Sequence, residues 1–226
     1  MRDPLEGFDW ATLYERYDAK CTRFRPDSEW LQAVRPHVSS DRALYCYLNG
    51  QLSSAVGLGW RMTVGNYMAM LYWKLYSQPA ALANLGSWLA PDQRVRESPI
   101  LTRLVAALPA SLERNVELIQ ELVRTVGRFG VFGMKSGLPV RTTFLHFLYP
   151  NIVPIFDQMV LKAVGAWHKG ANQKLDALRE YIPFAWQLAD QHTRQLTGFP
   201  ETPVRLVDMA LWVVRGTHPH SACCSA

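Results

Sequence analysis

The amino-acid sequence predicts an all-α protein, folded as a compact multi-helix domain over residues 1–226. Helix-capping residues, prolines and glycines punctuate the chain, whereas alternating runs of β-branched residues, which are typical of strands, hardly occur. The composition, 49% hydrophobic and 19% charged, is sufficient for a buried core and argues against global disorder. Two small helical lobes that share an interface are an alternative arrangement at this length.

The first half of the chain contains six predicted helices. They are Phe8–Lys20, Ser28–Val34, a helix capped by Ser39 or Ser40 and ended by Asn49-Gly50, Thr63–Tyr76, Pro79–Leu89, and a helix that begins at Pro99 after Ser98. The segment Thr63–Tyr76 is apolar nearly all round, which is typical of a central buried helix. Its methionines and aromatic rings could also line a pocket.

The second half begins with the clearest amphipathic pattern. Apolar residues of Ser111–Val126 share one helix face, and charged residues occupy the other. Four glycines then occur within residues 127–137, which predicts a turn. The remaining predicted elements are Leu138–Leu148, a helix from about Pro154, Lys174–Leu196 with a kink at Pro183, Pro203–Arg215, and a disordered tail at 217–226.

Charge and cysteine usage limit the class of partner and the compartment. The chain has 24 Lys and Arg against 19 Asp and Glu, a net charge of +5, which permits a polyanionic partner without requiring one. The four cysteines lack the spacing of a zinc site and indicate a reducing compartment, so we expect a cytoplasmic protein. No signal-peptide pattern or membrane-length apolar run occurs, and no metal or cofactor motif is found.

Asp157 is the candidate for a chemical site. A helix start at Pro154 would put Asp157 in the first turn, where the helix dipole favours the ionised carboxylate. Its apolar neighbours Ile155, Phe156 and Met159 would instead favour the neutral carboxylic acid. A carboxylate under opposed influences is a plausible acid or base. An N-terminal cap or a salt bridge is by itself sufficient to explain an aspartate at this place.

The surroundings of Asp157 carry a family resemblance. Gly137 and Asp157 are 20 positions apart, separated by an apolar helix, and Pro154–Gly165 runs from a proline through the acid to a terminal glycine. In these features Gly133–Gly165 resembles the core of the helix-hairpin-helix DNA glycosylase superfamily. The resemblance implies that Asp157 stabilises positive charge on the sugar and orients the attacking nucleophile. It also implies that hairpin amides near Gly137 hold a DNA phosphate.

Duplex DNA is the partner that this resemblance implies. The expected DNA-binding residues are Arg128, Lys135, Gly137, Arg141 and Lys162. The lysine nucleophile of bifunctional family members would fall near Pro139, so the implied reaction is monofunctional hydrolysis of a damaged base. Separately, Gln158 replaces the family's histidine. The ring-rich segment 63–76 could form the slot for a flipped base.

Two other functions are kept as hypotheses. The stretches Phe144–Pro150 and Arg205–Trp212 also resemble uncharacterised bacterial helical proteins distantly related to the same superfamily. That resemblance implies a non-catalytic scaffold that binds a protein or nucleic acid. A helical enzyme acting on a small molecule is the third hypothesis, although no motif specifies its reaction.

Two further ionisable residues lie on apolar helices. His146 is flanked by aromatic and aliphatic residues, and we interpret it as a core histidine whose ring nitrogens are hydrogen-bonded. Asp208 occupies an otherwise apolar helix and would need a cation nearby, for which Arg205, Arg141 and Lys135 are the candidates.

Overall fold

The structure, a computed structural model, describes residues 2–20, 40–53, 64–75, 99–128 and 137–215. Every regular element in these ranges is helical, which confirms the all-α prediction. The α-helices are α1 (Leu13–Lys20), α2 (Ser40–Leu52), α3 (Val64–Leu75), α4 (Pro99–Ala106), α5 (Val116–Arg128), α6 (Leu138–Leu148), α7 (Gln158–Ala163), α8 (Leu175–Gln191), α9 (Thr193–Leu196) and α10 (Pro203–Val214). Short 3₁₀ turns occur at Trp10–Thr12 and Ala171–Gln173.

Helix α10 is buried along nearly its whole length and packs against α1, α7, α8 and α9. Thr202 caps this helix, because its hydroxyl oxygen accepts a hydrogen bond from the amide of Arg205 at 3.3 Å. Pro203 occupies the first helical position, where its missing amide hydrogen costs no intrahelical bond. The predicted helix at Pro203–Arg215 is therefore confirmed to within one residue.

Helix α6 is the second central element, and it packs against α2, α3 and α5. After α6 the chain turns at Tyr149-Pro150, and residues 153–156, which form no regular secondary structure, return alongside the helix. Two hydrogen bonds hold this returning segment: His146 Nδ1 lies 2.7 Å from the Val153 carbonyl oxygen, and the Phe156 amide donates to Thr142 Oγ1 at 3.1 Å. These bonds fix the position at which the next residue, Asp157, begins α7.

A buried charge cluster joins α10 to α1 and α2. The Arg205 guanidinium pairs with Asp208, donates to the Tyr17 hydroxyl at 2.9 Å and lies 3.6 Å from the Asp41 carboxylate. Tyr17 donates its own hydroxyl proton to Asp41 at 2.7 Å. Arg205 is only 2% exposed, so its charge is removed from water at a cost in free energy. The contacts with Asp208, Tyr17 and Asp41 offset this cost. The prediction that Asp208 pairs with a cation is confirmed, and the cation is Arg205.

The predicted end of α2 and the predicted start of α5 are wrong. Helix α2 does not stop at Asn49-Gly50 but continues to Leu52, whose fully buried side chain gains more from packing than the glycine loses in helix propensity. Helix α5 does not begin at Ser111. It begins after Asn115, whose side-chain oxygen accepts a hydrogen bond from the Leu118 amide at 2.9 Å and so marks the start of the helix.

Buried side chains from Leu5 to Val214 form one contiguous hydrophobic cluster. Helix α8 runs through the exposed Pro183, and the end of the predicted Lys174–Leu196 helix forms the separate α9. Several predictions fall outside the described residues. These are the helices Ser28–Val34 and Pro79–Leu89, the glycine-rich residues 129–136, and the tail 217–226.

Candidate functional site

Asp157 is the N-cap of α7. Its Oδ1 accepts hydrogen bonds from the amides of Met159 at 2.7 Å and Val160 at 3.2 Å. The predicted helix start near Pro154 is wrong, because residues 153–156 are held in the non-helical segment that returns along α6. Asp157 therefore stands just before the helix rather than within its first turn, and its side chain already satisfies two amides of that turn.

The second oxygen of Asp157 is also occupied. Its Oδ2 lies 2.9 Å from the ammonium of Lys74, in the last turn of α3. The two side chains are 20% and 12% exposed, so the pair is mostly shielded from water. The cap and the salt bridge, which were alternative structural interpretations of Asp157 in the sequence, are thus both present.

The electrostatic surroundings keep Asp157 ionised. Burial by itself would raise the pKa of Asp157, but the Lys74 ammonium and the two amide donors outweigh burial and lower the pKa below its usual range. A carboxylate of this kind is a weak proton acceptor at neutral pH. Its available chemistry is therefore electrostatic: it can stabilise a positive charge, but it is poorly suited to moving a proton.

Tyr181 of α8 is a further polar group near Asp157 that sequence reasoning missed. Its ring packs against Phe156 with centroids 5.7 Å apart, and its buried hydroxyl has no hydrogen-bond partner among the described residues. Burial raises the pKa of Tyr181, as do the nearby carboxylates of Asp208 and Asp157. The Tyr181 hydroxyl therefore stays protonated and can donate a hydrogen bond. No sequence motif around Tyr181 indicates that it lies near Asp157.

Gly137 lies at the start of α6, where the sequence analysis placed a phosphate-binding hairpin. Its backbone is extended, with φ −70°, so a left-handed conformation is not the reason for a glycine here. A Cβ atom would instead collide with the side-chain amide of Gln173, which presses against the Gly137 backbone. This contact connects α6 to the 3₁₀ turn Ala171–Gln173, which also packs against α7 and α8.

Arg141 lies one turn further along α6. Its guanidinium rests against the backbone of Gly127 in α5, where any larger residue would meet it. Its Nε is buried without a hydrogen-bond partner, and no described acid pairs with its charge. The predicted DNA-binding residue Arg128 differs, because it forms an exposed ion pair with Glu121 at 3.4 Å.

Three lysines lie on the segment that runs from α7 into α8. Lys162 is exposed in the last turn of α7, and Lys169 and Lys174 are exposed in the loop that follows. None of them pairs with an acid in the part of the chain that the structure describes. Arg141 and Lys162 lie on α6 and α7, which pack against the turn Ala171–Gln173, and Lys169 and Lys174 lie on either side of this turn in the chain. We call these four residues the cation surface.

The sequence segment that includes the cation surface carries an excess of positive charge. Residues 122–175 contain seven of the 24 Lys and Arg but only one of the 19 Asp and Glu, namely Asp157. That single carboxylate is already paired with Lys74, which lies outside the segment. The excess of cations in 122–175 is therefore larger than the net charge of +5 that the entire chain carries.

The predicted site residues are thus partly brought together. Gly137, Arg141 and Lys162 lie on elements that meet at the Ala171–Gln173 turn, and Asp157 begins the helix that carries Lys162. Lys135 lies outside the described residues. Sequence reasoning missed Lys169 and Lys174, although the lack of acids across 158–175 was a signal that could have identified them.

His146 is confirmed as a core histidine. It is fully buried, with Nδ1 against the Val153 carbonyl at 2.7 Å and Nε2 against the Tyr45 hydroxyl at 2.8 Å. Since a carbonyl only accepts, Nδ1 carries the proton and Nε2 accepts from Tyr45. Burial lowers the pKa of His146 to about 3, so the ring is neutral at physiological pH.

A surface cleft of about 360 Å³ lies at the carboxyl end of α6, the end opposite Gly137. No charged side chain lines it, and none of the predicted site residues contributes to it. Its lining is Asn49, Ser53, Leu112, Leu148, Tyr149, Pro150, Asn151, Ile152 and Thr202. The cleft is therefore separate from Asp157 and from the cation surface.

Comparison with known proteins assigns no family. No protein-family model matches the chain, and neither curated proteins nor solved structures give a significant match. The resemblance to the glycosylase superfamily therefore stays a prediction. Within the described ranges, no helix has the length and apolar character needed to cross a bilayer. The same residues contain no group of three His, Cys, Asp or Glu side chains arranged to hold a metal ion.

Proposed function

We propose that this chain binds the sugar–phosphate backbone of DNA through the cation surface. The proposal is carried by one observation: Arg141, Lys162, Lys169 and Lys174 lie on helices and a loop that meet at a single turn, and they have no acidic partner among the described residues. Cations that acids do not neutralise attract a polyanion over several ångströms. Contact with phosphates then releases condensed counterions, which supplies most of the affinity of sequence-independent binding.

The amino end of α6 adds to the same surface. Gly137 provides no side-chain cap, so the first amide of α6 is left without a side-chain acceptor. Helix N-termini favour anions because free amides and the positive end of the helix dipole point towards them. A phosphate near Gly137 would therefore lie within one helical turn of Arg141.

The choice of DNA among polyanions rests on two supports. The resemblance of Gly133–Gly165 to the helix-hairpin-helix glycosylase core implies a DNA partner for this segment. In addition, the Arg141 guanidinium has the planar fork that suits bidentate contact with a phosphate, and its contact with Gly127 restricts its orientation before binding.

Fluorescence anisotropy with a labelled DNA duplex at low salt tests the proposal. The test variant replaces three unpaired lysines: Lys162→Gln, Lys169→Gln and Lys174→Gln. The control removes the same number of charges from arginines that already pair with acids: Arg2→Gln, Arg114→Gln and Arg179→Gln. We expect the test variant to lose affinity by at least about tenfold and the control to lose much less. An equal loss in both variants, or no binding by the wild-type chain, would contradict the proposal.

Base removal at Asp157 is the second candidate. Asp157 is ionised, its side chain is 20% exposed, and it begins the helix that carries Lys162. A carboxylate at this position could stabilise the positive charge that develops on a sugar when its base departs. The occupation of both Asp157 oxygens by Lys74 and two amides favours the alternative, a non-catalytic DNA-binding scaffold.

Incubation with a duplex that carries an alkylated base distinguishes the two candidates. A monofunctional hydrolase leaves abasic sites, which alkali converts into strand breaks. Activity in the wild type, lost in Asp157→Asn while the circular dichroism spectrum is unchanged, would establish base removal. Binding of the duplex without any release of base supports the scaffold.

A further inference from the structure

The loop between α7 and α8 carries an aromatic residue among its cations. Trp167 is half-buried, and the ammonium of Lys162 lies 5.7 Å from the centroid of its ring. His168 and Lys169 follow it directly and are exposed. No acidic residue occurs anywhere from 158 to 175. A cation in the last turn of α7 and a flat ring on the following loop are therefore next to each other.

The backbone holds Trp167 in a defined place. The Ala166 amide donates to the Leu161 carbonyl at 2.9 Å, and the Gly165 amide donates to the Lys162 carbonyl at 3.2 Å. Gly165 has φ +70°, the left-handed conformation that this helix-ending motif requires and that glycine adopts without strain. Trp167 follows this cap directly, so little chain entropy is lost when a ligand contacts it.

The indole of Trp167 also differs from two other indoles in the chain. Trp73 and Trp186 each donate the indole N–H to a backbone carbonyl, at 3.2 Å and 2.7 Å. No described residue accepts the indole N–H of Trp167, and that nitrogen is not buried. Packing alone therefore leaves a polar edge of this ring open to a ligand.

We infer that the cation surface binds DNA in which nucleotides are unpaired, with Trp167 stacking on an exposed base while Lys162 and Lys169 contact the flanking phosphates. This inference rests on the proposed function, since it concerns the same surface. Bases inside an intact duplex are already stacked on one another, and only an unpaired base offers its face to a tryptophan. Aromatic rings set among cations are the general means of holding single strands.

The test measures binding of a labelled single strand of about 15 nucleotides and of the matching duplex, a length within the range of known single-strand sites. The variants are Trp167→Leu, which removes the ring, and Trp167→Phe, which keeps a smaller one. Trp212→Leu is the control, because Trp212 is also half-buried but lies on α10. Circular dichroism checks that each variant is folded, and quenching of tryptophan emission by the strand reports stacking directly.

We expect Trp167→Leu to weaken single-strand binding by about 5- to 150-fold, which corresponds to one stacked base, while Trp167→Phe retains most of the affinity. Duplex binding should change less than about twofold in both variants, since phosphate contacts supply it. If Trp167→Leu leaves single-strand binding unchanged, the stacking inference is overturned and backbone binding survives. If the wild-type chain binds neither the single strand nor the duplex, both the stacking inference and the proposed function are overturned.

Discussion

Replacing Lys74 by methionine removes the cation that pairs with Asp157 and keeps a side chain of similar length. The ammonium and the carboxylate are 2.9 Å apart, and their side chains are only 12% and 20% exposed. Loss of one partner from a fully buried pair costs about 3–5 kcal/mol. Because this pair retains some exposure, we expect Lys74→Met to lower the free energy of unfolding by about 2–3 kcal/mol.

A double-mutant cycle isolates the interaction. Asn is nearly as good an N-cap as Asp, so Asp157→Asn keeps the two amide contacts of α7 and removes the charge. We expect the two single changes to be non-additive, with a coupling energy of about 1–2 kcal/mol between Lys74 and Asp157 measured by urea unfolding at pH 7. A coupling energy below about 0.3 kcal/mol would refute the argument that the pair holds α3 to α7.

The pH dependence of this coupling has a definite sign. The pKa of Asp157 is lowered in the folded chain, so its stabilisation is fully present above the unfolded value of about 3.9 and is lost as the pH falls through the folded pKa. Lys74→Met removes most of the cause of that shift. The wild type should therefore lose more stability than Lys74→Met on acidification below about pH 4.

Three further predictions concern Asp208, His146 and Gly137. Burial raises the pKa of Asp208 to about 6 despite its contact with Arg205, so folding takes up a proton at this residue between about pH 4 and 6. The contribution of Asp208 to stability therefore falls as the pH rises through that window. Between these pH values, the free energy of urea unfolding should change less with pH in Asp208→Asn than in the wild type. Parallel curves of unfolding free energy against pH would contradict this prediction. His146, with a pKa lowered to about 3, should keep neutral-ring NMR shifts from pH 7 to 5, and titration near pH 6.5 would show that it is not buried. Gly137→Ala should lower the free energy of unfolding by less than about 1 kcal/mol, because only the exposed Gln173 side chain must move. Adding Gln173→Ala in the same chain should restore the lost stability. A loss of several kcal/mol that Gln173→Ala does not relieve would indicate backbone strain instead.

The sequence predicts those parts of the fold that depend on local chemistry. Helix α10 is marked by its start at Pro203 and its apolar pattern, and α6 by apolar residues between a glycine turn and the Tyr149-Pro150 break. The pairing of Asp208 was also predictable, because a carboxylate on a buried helix requires a cation and Arg205 is one turn away.

Features that depend on distant contacts could not be predicted. Lys74 and Asp157 are 83 positions apart, so no local pattern reveals that they pair. The helix start expected at Pro154 is wrong for the same reason, since hydrogen bonds to α6 hold residues 153–156 in a non-helical segment. Gly137 fits a hairpin motif in the sequence, yet the structure explains it by the approach of Gln173.

The salt dependence of duplex binding tests the central claim, that the cation surface and not Asp157 provides the affinity for DNA. The logarithm of the binding constant falls with the logarithm of salt concentration by about 0.9 for each phosphate contacted. Changing Arg141, Lys162, Lys169 and Lys174 together to glutamine should therefore flatten the slope by up to about 3.6, whereas Asp157→Asn should leave it unchanged. An unaltered slope in the fourfold variant, or a slope that changes only in Asp157→Asn, would contradict the account.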